Sequence, residues 1–136
     1  MGILGSNYTK IHVEKRAPIK GKININSNIL LIDAKKVELS WGKTKQNALR
    51  VEFEFKITYE PKTADITLNG ELLYMAAPEA VEEMEKLWVK EKRLPKETTT
   101  EILNHLLSKC NLEALLLTRE MNLPPPFPLP KVTPKG

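Results

Sequence analysis

The segment Leu49 to Tyr59 constrains this chain more than any other. Leu49, Val51, Phe53, Phe55, Ile57 and Tyr59 alternate with Arg50, Glu52, Glu54, Lys56 and Thr58. A period of two sends successive side chains to opposite faces, so the segment predicts a strand with one apolar and one charged face. Such a strand belongs to an antiparallel sheet with one face packed and one face in water. The apolar face, with its aromatic rings, then needs a helical layer to cover it.

The flanking sequence supplies candidate partners. Tyr8 to Lys15 alternates Ile11 and Val13 with Lys10, His12 and Glu14, and predicts a short strand. Pro18 and Gly21 break the pattern over Arg16 to Gly21, marking a loop or crossover. From Lys22 to Leu39 the chain reads as extended. Ile23, Ile25, Ile29 and Leu31 share one parity, and Leu30, Ile32 and Ala34 share the other. The run Ile29 to Ile32 therefore predicts burial on both faces. Ser40 to Asn47 reads as a polar turn carrying Trp41. Pro61-Lys62 forms a short turn, and Thr63 to Ala76 a fourth strand with Ile66, Leu68, Leu72 and Tyr74 on one side. Gly70 in its middle predicts a bulge.

Helical spacing takes over after Pro78, a residue suited to a first helical turn. Val81, Met84, Leu87 and Trp88 form one apolar stripe, and Leu94-Pro95 ends the helix. Thr98 followed by Glu101 matches a capping box for a second helix. That helix carries Ile102, Leu103, Leu106, Leu107, Cys110, Leu112, Leu115, Leu116 and Leu117. Beyond Cys110 this set is broader than one stripe, which predicts cover on more than one side. From Asn122 the prolines favour a stiff, extended path, and Leu123, Phe127, Leu129 and Val132 favour lying along a surface. The sequence thus predicts an α+β fold: a four-stranded antiparallel sheet followed by two helices and a proline-rich C-terminal tail. Residues 1–121 form one domain and residues 122–136 the tail.

Charge and motifs narrow the chemistry. The net charge is +4 with a pI near 9.1, but 17 acidic residues are interleaved with the 21 basic ones, a pattern of solubility more than of a nucleic-acid footprint. Abundant Lys and Glu beside one glutamine, Gln46, are a thermophilic bias. No apolar run approaches the roughly 20 residues that span a bilayer, and the N-terminus lacks the features of a secretory signal. One cysteine, Cys110, excludes an intrachain disulfide and fits a reducing cytoplasm. The candidate metal ligands are His12, His105 and Cys110. His105 and Cys110, five apart on one helix, do not share a face, so a core thiol and a polar-face histidine are expected rather than a metal site. Glu52 and Glu54 are flanked by Arg50 and Lys56 and read as a solvated charge ladder. No glycine cluster cradles a phosphate, and no nucleophile, base and stabilising group assemble. The sequence therefore predicts no catalysis and no cofactor. Its remaining peculiarity is apolar excess in the second helix and the tail, the mark of a groove or of subunit contacts.

The order of strand, crossover, three-strand meander, short helix, proline break, long helix and proline-rich tail resembles the SecB family of export chaperones. Tyr8-Thr9-Lys10-Ile11, the strand Arg50 to Tyr59, and Leu123-Pro124-Pro125 with Phe127 carry the resemblance, which extends from about Tyr8 to Val132. The chain departs from that family in its short, non-aromatic crossover and its basic balance. The resemblance implies a cytoplasmic homodimer or homotetramer whose partners are unfolded polypeptide clients, held in apolar grooves without ATP. By position, Ile19 in the crossover, Leu106, Leu107 and Leu115 on the long helix, and Phe127 and Leu129 in the tail become the candidate peptide-binding residues. The competing readings are a nucleic-acid-binding domain, motivated by the pI, and a structural oligomer subunit with no open groove.

Overall fold

The computed structural model describes residues 2–18, 21–61 and 63–126. Four strands precede two helices: β1 Gly2–Lys15, β2 Asn24–Trp41, β3 Thr44–Glu60, β4 Ala64–Met75, α1 Pro78–Glu91 and α2 Lys96–Glu120. The strands form one sheet in the order β1-β4-β3-β2, antiparallel at every pairing. β2, β3 and β4 follow one another as hairpins. The crossover returns β1 to the far side of β4, leaving β1 and β2 as the two edges.

β3 is the strand that the alternation predicts. Val51, Phe53, Phe55, Ile57 and Tyr59 are buried on the inner face, opposite the buried Ile66, Leu68 and Leu72 of β4. The hairpin before it is longer than the sequence suggests. Ser40 to Asn47 is not a turn, because β2 and β3 pair out to Trp41 and Thr44, leaving Gly42 and Lys43 as a two-residue connection. Gly42 sits at φ 62°, the left-handed region that the first position of such a connection needs and that glycine adopts without strain. Backbone ladders accept polar side chains at exposed positions, so the polar run continues both strands.

Register shifts set the faces of the edge strands. In β2 the register shifts between Leu31 and Asp33. Ile25, Ile29 and Leu31 stand opposite Tyr59, Phe55 and Phe53 before the bulge, whereas Ala34 stands opposite Val51 after it. One extra residue moves the inward parity from odd to even. The second apolar parity of β2 is not a second buried face: the switch turns Ala34 inward, while Leu30 is 50% exposed and Ile32 49%. The bulge expected at Gly70 falls instead on the opposite strand, between Tyr8 and Lys10. Gly70 is needed for close approach. A Cβ there would lie 2.3 Å from the Asn7 carbonyl oxygen and 2.7 Å from Cζ of Phe53. The Phe53 ring meets the Tyr8 ring edge-on at 6.3 Å between centroids.

Both helices lie on the inner face. Val81, Met84 and Trp88 bury α1 over the β2–β3 end of the sheet. Lys36 ties that end down, its backbone N–H donating to Glu85 at 2.6 Å and its Nζ reaching Glu82 at 3.3 Å. α2 buries Thr98, Ile102, Leu106, Cys110, Ala114 and Thr118, a spacing of four. The predicted capping box is absent: α2 begins at Lys96, Thr98 is already inside the first turn, and Glu101 accepts from the Tyr74 hydroxyl at 3.1 Å. The C-terminus of α2 closes in a Schellman arrangement. Asn122 takes φ 53°, its N–H donates to Arg119, and Leu123 N–H donates to Thr118 at 2.8 Å. Leu123 joins the core, and the Tyr59 hydroxyl donates to the Pro124 carbonyl at 2.6 Å. Beyond Cys110 the sheet covers one side of α2, while Leu112 and Leu116 on its back are exposed.

Candidate functional site

The two flanks of α2 differ, and among the described residues the difference leaves the β2 edge of the sheet open. Glu101, His105 and Lys109 each precede a residue of the buried stripe by one position, so they lie about 100° round the helix from it, over the β1 side. They clamp β1 and β4. Glu101 takes the Tyr74 hydroxyl, His105 Nε2 lies 3.1 Å from Ser6 Oγ, and Lys109 Nζ donates to the Ser6 carbonyl at 2.6 Å. Lys109 also stands 5.1 Å from the centroid of the Tyr8 ring, and the Tyr8 hydroxyl donates to its carbonyl at 3.2 Å.

The opposite flank holds the residues that follow the stripe: Leu103, Leu107, Asn111 and Leu115. Between this flank and β2 lies a trough of about 230 Å³. Its floor and strand wall are Ile29, Leu30 and Leu31. Leu30 faces the outer side and Leu31 the inner side, so the trough straddles the free edge of β2. The facing wall is Trp88 of α1, Leu94 of the connection, and Thr99 and Leu103 of α2, with Lys92 and Arg93 at the rim. The corner between the helices is firmly built. Lys92 turns the chain at φ 56° with its N–H on the Trp88 carbonyl at 2.8 Å, Leu94 is buried, and Thr99 Oγ donates to the Leu94 carbonyl at 3.2 Å.

The residues singled out from the sequence fall in three groups. Leu107 is 36% exposed and Leu115 half-buried, both on the open flank. Leu106 is fully buried against the sheet and belongs to the core, so it offers no surface. Ile19, Phe127 and Leu129 lie outside the described residues, as does the Trp41 side chain. Sequence reasoning missed Leu30, Trp88 and Leu103 as wall residues. The available signal for Leu30 was its place on the parity of β2 opposite Ile29 and Leu31, which puts it on the outer face of the sheet.

Other clusters have different chemistry. His12 Nε2 lies 3.5 Å from Glu14 and 3.7 Å from Asp65, the one group of three potential metal ligands among the described residues. Arg16 already binds Asp65 and reaches Glu14 at 3.4 Å, so its guanidinium occupies the charge that a cation would take. A larger cavity of about 410 Å³ at the β3–β4 turn is lined by Arg16, Thr58, Tyr59, Glu60, Ala64 and Asp65. On the outer sheet face, a third hollow contains Ile32, Glu52 and Glu71. Burial pushes the Cys110 thiol up from its ordinary value, which makes it a poor nucleophile at neutral pH. Burial likewise raises Tyr8 and Tyr74. No helix among the described residues is long and apolar enough to cross a membrane.

A meander with a returning edge strand, one apolar face and two helices laid over it defines a SecB-like fold. The Mycobacterium tuberculosis SecB-like chaperone, solved in complex with a ChAD peptide from an antitoxin, superposes with a TM-score of 0.54 over 96% of this chain and 88% of that one, at 15% identity. At that identity the likeness is one of fold. No protein-family model matches the chain, and no curated protein is similar to it in sequence.

Proposed function

We propose that the protein is a SecB-like holding chaperone or peptide-binding module, which keeps unfolded polypeptide segments extended without nucleotide. One observation carries this reading: the apolar trough runs along the edge of β2, which no further strand among the described residues covers. An extended client there meets two complementary surfaces. Alternate backbone groups of an edge strand point outward unpaired and can add a strand. Ile29, Leu30, Leu31, Trp88 and Leu103 receive its side chains. Leu107 and Leu115 extend the wall along α2. The fold shared with a chaperone that was solved with a bound peptide supports the same reading.

The exposed Leu112 and Leu116 on the back of α2 support assembly into a homodimer or homotetramer, and a single reduced cysteine is compatible with a cytoplasmic setting. A nucleic-acid role is less well served. Asp33, Glu52 and Glu71 form a row across β2, β3 and β4 on the outer face, which repels a phosphate backbone.

The test is aggregation of a chemically unfolded model protein after dilution, followed by light scattering without ATP. Stoichiometric protein suppresses the scattering, and Leu30→Glu with Leu107→Glu, both surface changes, weakens the suppression. Unchanged aggregation at stoichiometric protein refutes the proposal.

A further inference from the structure

The trough has an apolar floor and a cationic end. Of its described lining residues, only Lys92 and Arg93 carry charge, and both are basic. Arg93 shares its charge with Glu91, which it meets at 2.9 Å. Lys92 has no ion-pair partner among the described residues. Its place is set by the backbone: it holds the left-handed position that ends α1, with its N–H committed to Trp88, so the side chain springs from this corner. Among the described residues no carboxylate lines the trough itself, and Glu91 meets Arg93 from outside it.

Resting on the peptide-binding reading above, we propose that the trough selects extended apolar segments that carry an acidic residue beside the apolar run. The apolar residues lie against Ile29, Leu31, Trp88 and Leu103, and the flanking carboxylate reaches Lys92 and Arg93 at the rim. A segment flanked by lysine meets like charge at the same point. The selectivity is electrostatic at a solvated rim, where each favourable pair contributes a few-fold in affinity and salt screens it over about 10 Å.

The experiment uses the full chain and two fluorescein-labelled nine-residue peptides with the same Leu/Val/Ile core, one flanked by glutamates and one by lysines. Binding is read by fluorescence anisotropy at low and high salt. The glutamate peptide binds roughly tenfold tighter at low salt, from attraction and repulsion together, and the gap narrows with salt. Lys92→Asn with Arg93→Gln abolishes the gap, because asparagine tolerates the left-handed corner while removing the charge. The protein as a whole is positive at +4, so a matched pair of distant changes, Lys43→Gln with Lys45→Gln, controls for net charge and leaves the gap in place. Equal affinities for the two peptides, or a gap that the distant pair abolishes just as well, overturn the charge selection while leaving the apolar trough intact. If neither peptide binds, the peptide-binding reading fails with it.

Discussion

Replacing Gly70 by alanine sets one methyl group against two rigid neighbours. The new Cβ would stand 2.3 Å from the Asn7 carbonyl oxygen, 2.7 Å from Phe53 Cζ and 3.0 Å from Phe53 Cε1. Carbon contacts are comfortable at roughly 3.5–4.0 Å, so the gap must open by about 1 Å on two sides. The oxygen belongs to the backbone of β1 beside its bulge, and the ring is locked in the core against Tyr8. Neither yields without disturbing the β1–β4 ladder. Overpacking of this kind costs about 1–3 kcal/mol, and a clash with backbone belongs at the upper end. Removing a glycine from a strand returns about 0.5–1 kcal/mol through the unfolded chain. A net loss of about 2 kcal/mol follows, or roughly 8 °C in Tm for a domain of this size. Circular dichroism during urea and thermal unfolding measures it. Gly5→Ala is the matched control in β1: nothing lies within 4 Å of its Cβ position, so it is neutral or slightly stabilising. Phe53→Leu combined with Gly70→Ala loses less than the sum of the two single changes, because the ring is half of the clash. Equal stabilities for Gly70→Ala and Gly5→Ala would refute the close-approach argument.

Burial pushes the Tyr59 phenol up to about 12, so the fold favours its neutral form. That stability is fully present below pH 10 and is lost as pH rises through 12; urea midpoints between pH 9 and 11.5 follow the loss, and Tyr59→Phe reduces it. At neutral pH, Tyr59→Phe also costs about 1 kcal/mol by leaving the Pro124 carbonyl without its donor. Lys109→Met removes both Nζ bonds to Ser6 and the cation over Tyr8. It lowers stability by about 1–2 kcal/mol, and hydrogen exchange shows the loosening first at Ser6 to Tyr8, with β3 amides affected less; uniform loss of protection would contradict a local clamp. Glu52 stands directly across from Glu71 on one side and Asp33 on the other. Glu52→Lys turns two repulsive pairs attractive and raises stability by about 0.5–1 kcal/mol in low salt, with the gain shrinking in 1 M salt; no gain at low salt would show that the row is already neutralised.

The strand segments differ in how far they could be read from residues alone. β3 was legible because it is central, and its alternation records burial on one face from end to end. β1 was legible only from Tyr8, since Gly2, Gly5, Ser6 and Asn7 have weak strand preference; pairing with β4 makes them strand. β2 was misread in its faces because a bulge reverses parity without leaving a distinctive residue. On α2, helical spacing identified the apolar set but not its phase. Leu106 and Leu107 are neighbours of the same type, and only the direction of the sheet makes one core and the other surface. The trough was illegible for a related reason: Leu30 and Leu103 are far apart in sequence and meet because β2 is an edge that α1 covers only in part.

By itself, then, the order of residues determined the α+β class, the buried face of Leu49 to Tyr59 and the two helices, because each follows from local periodicity and backbone preference. The return of β1 beside β4, the parity switch at Ile32, the close approach at Gly70 and the open edge above Leu30 were decided only in three dimensions. Each depends on which segment lies next to which, and that is a property of the whole packed chain rather than of any stretch of it.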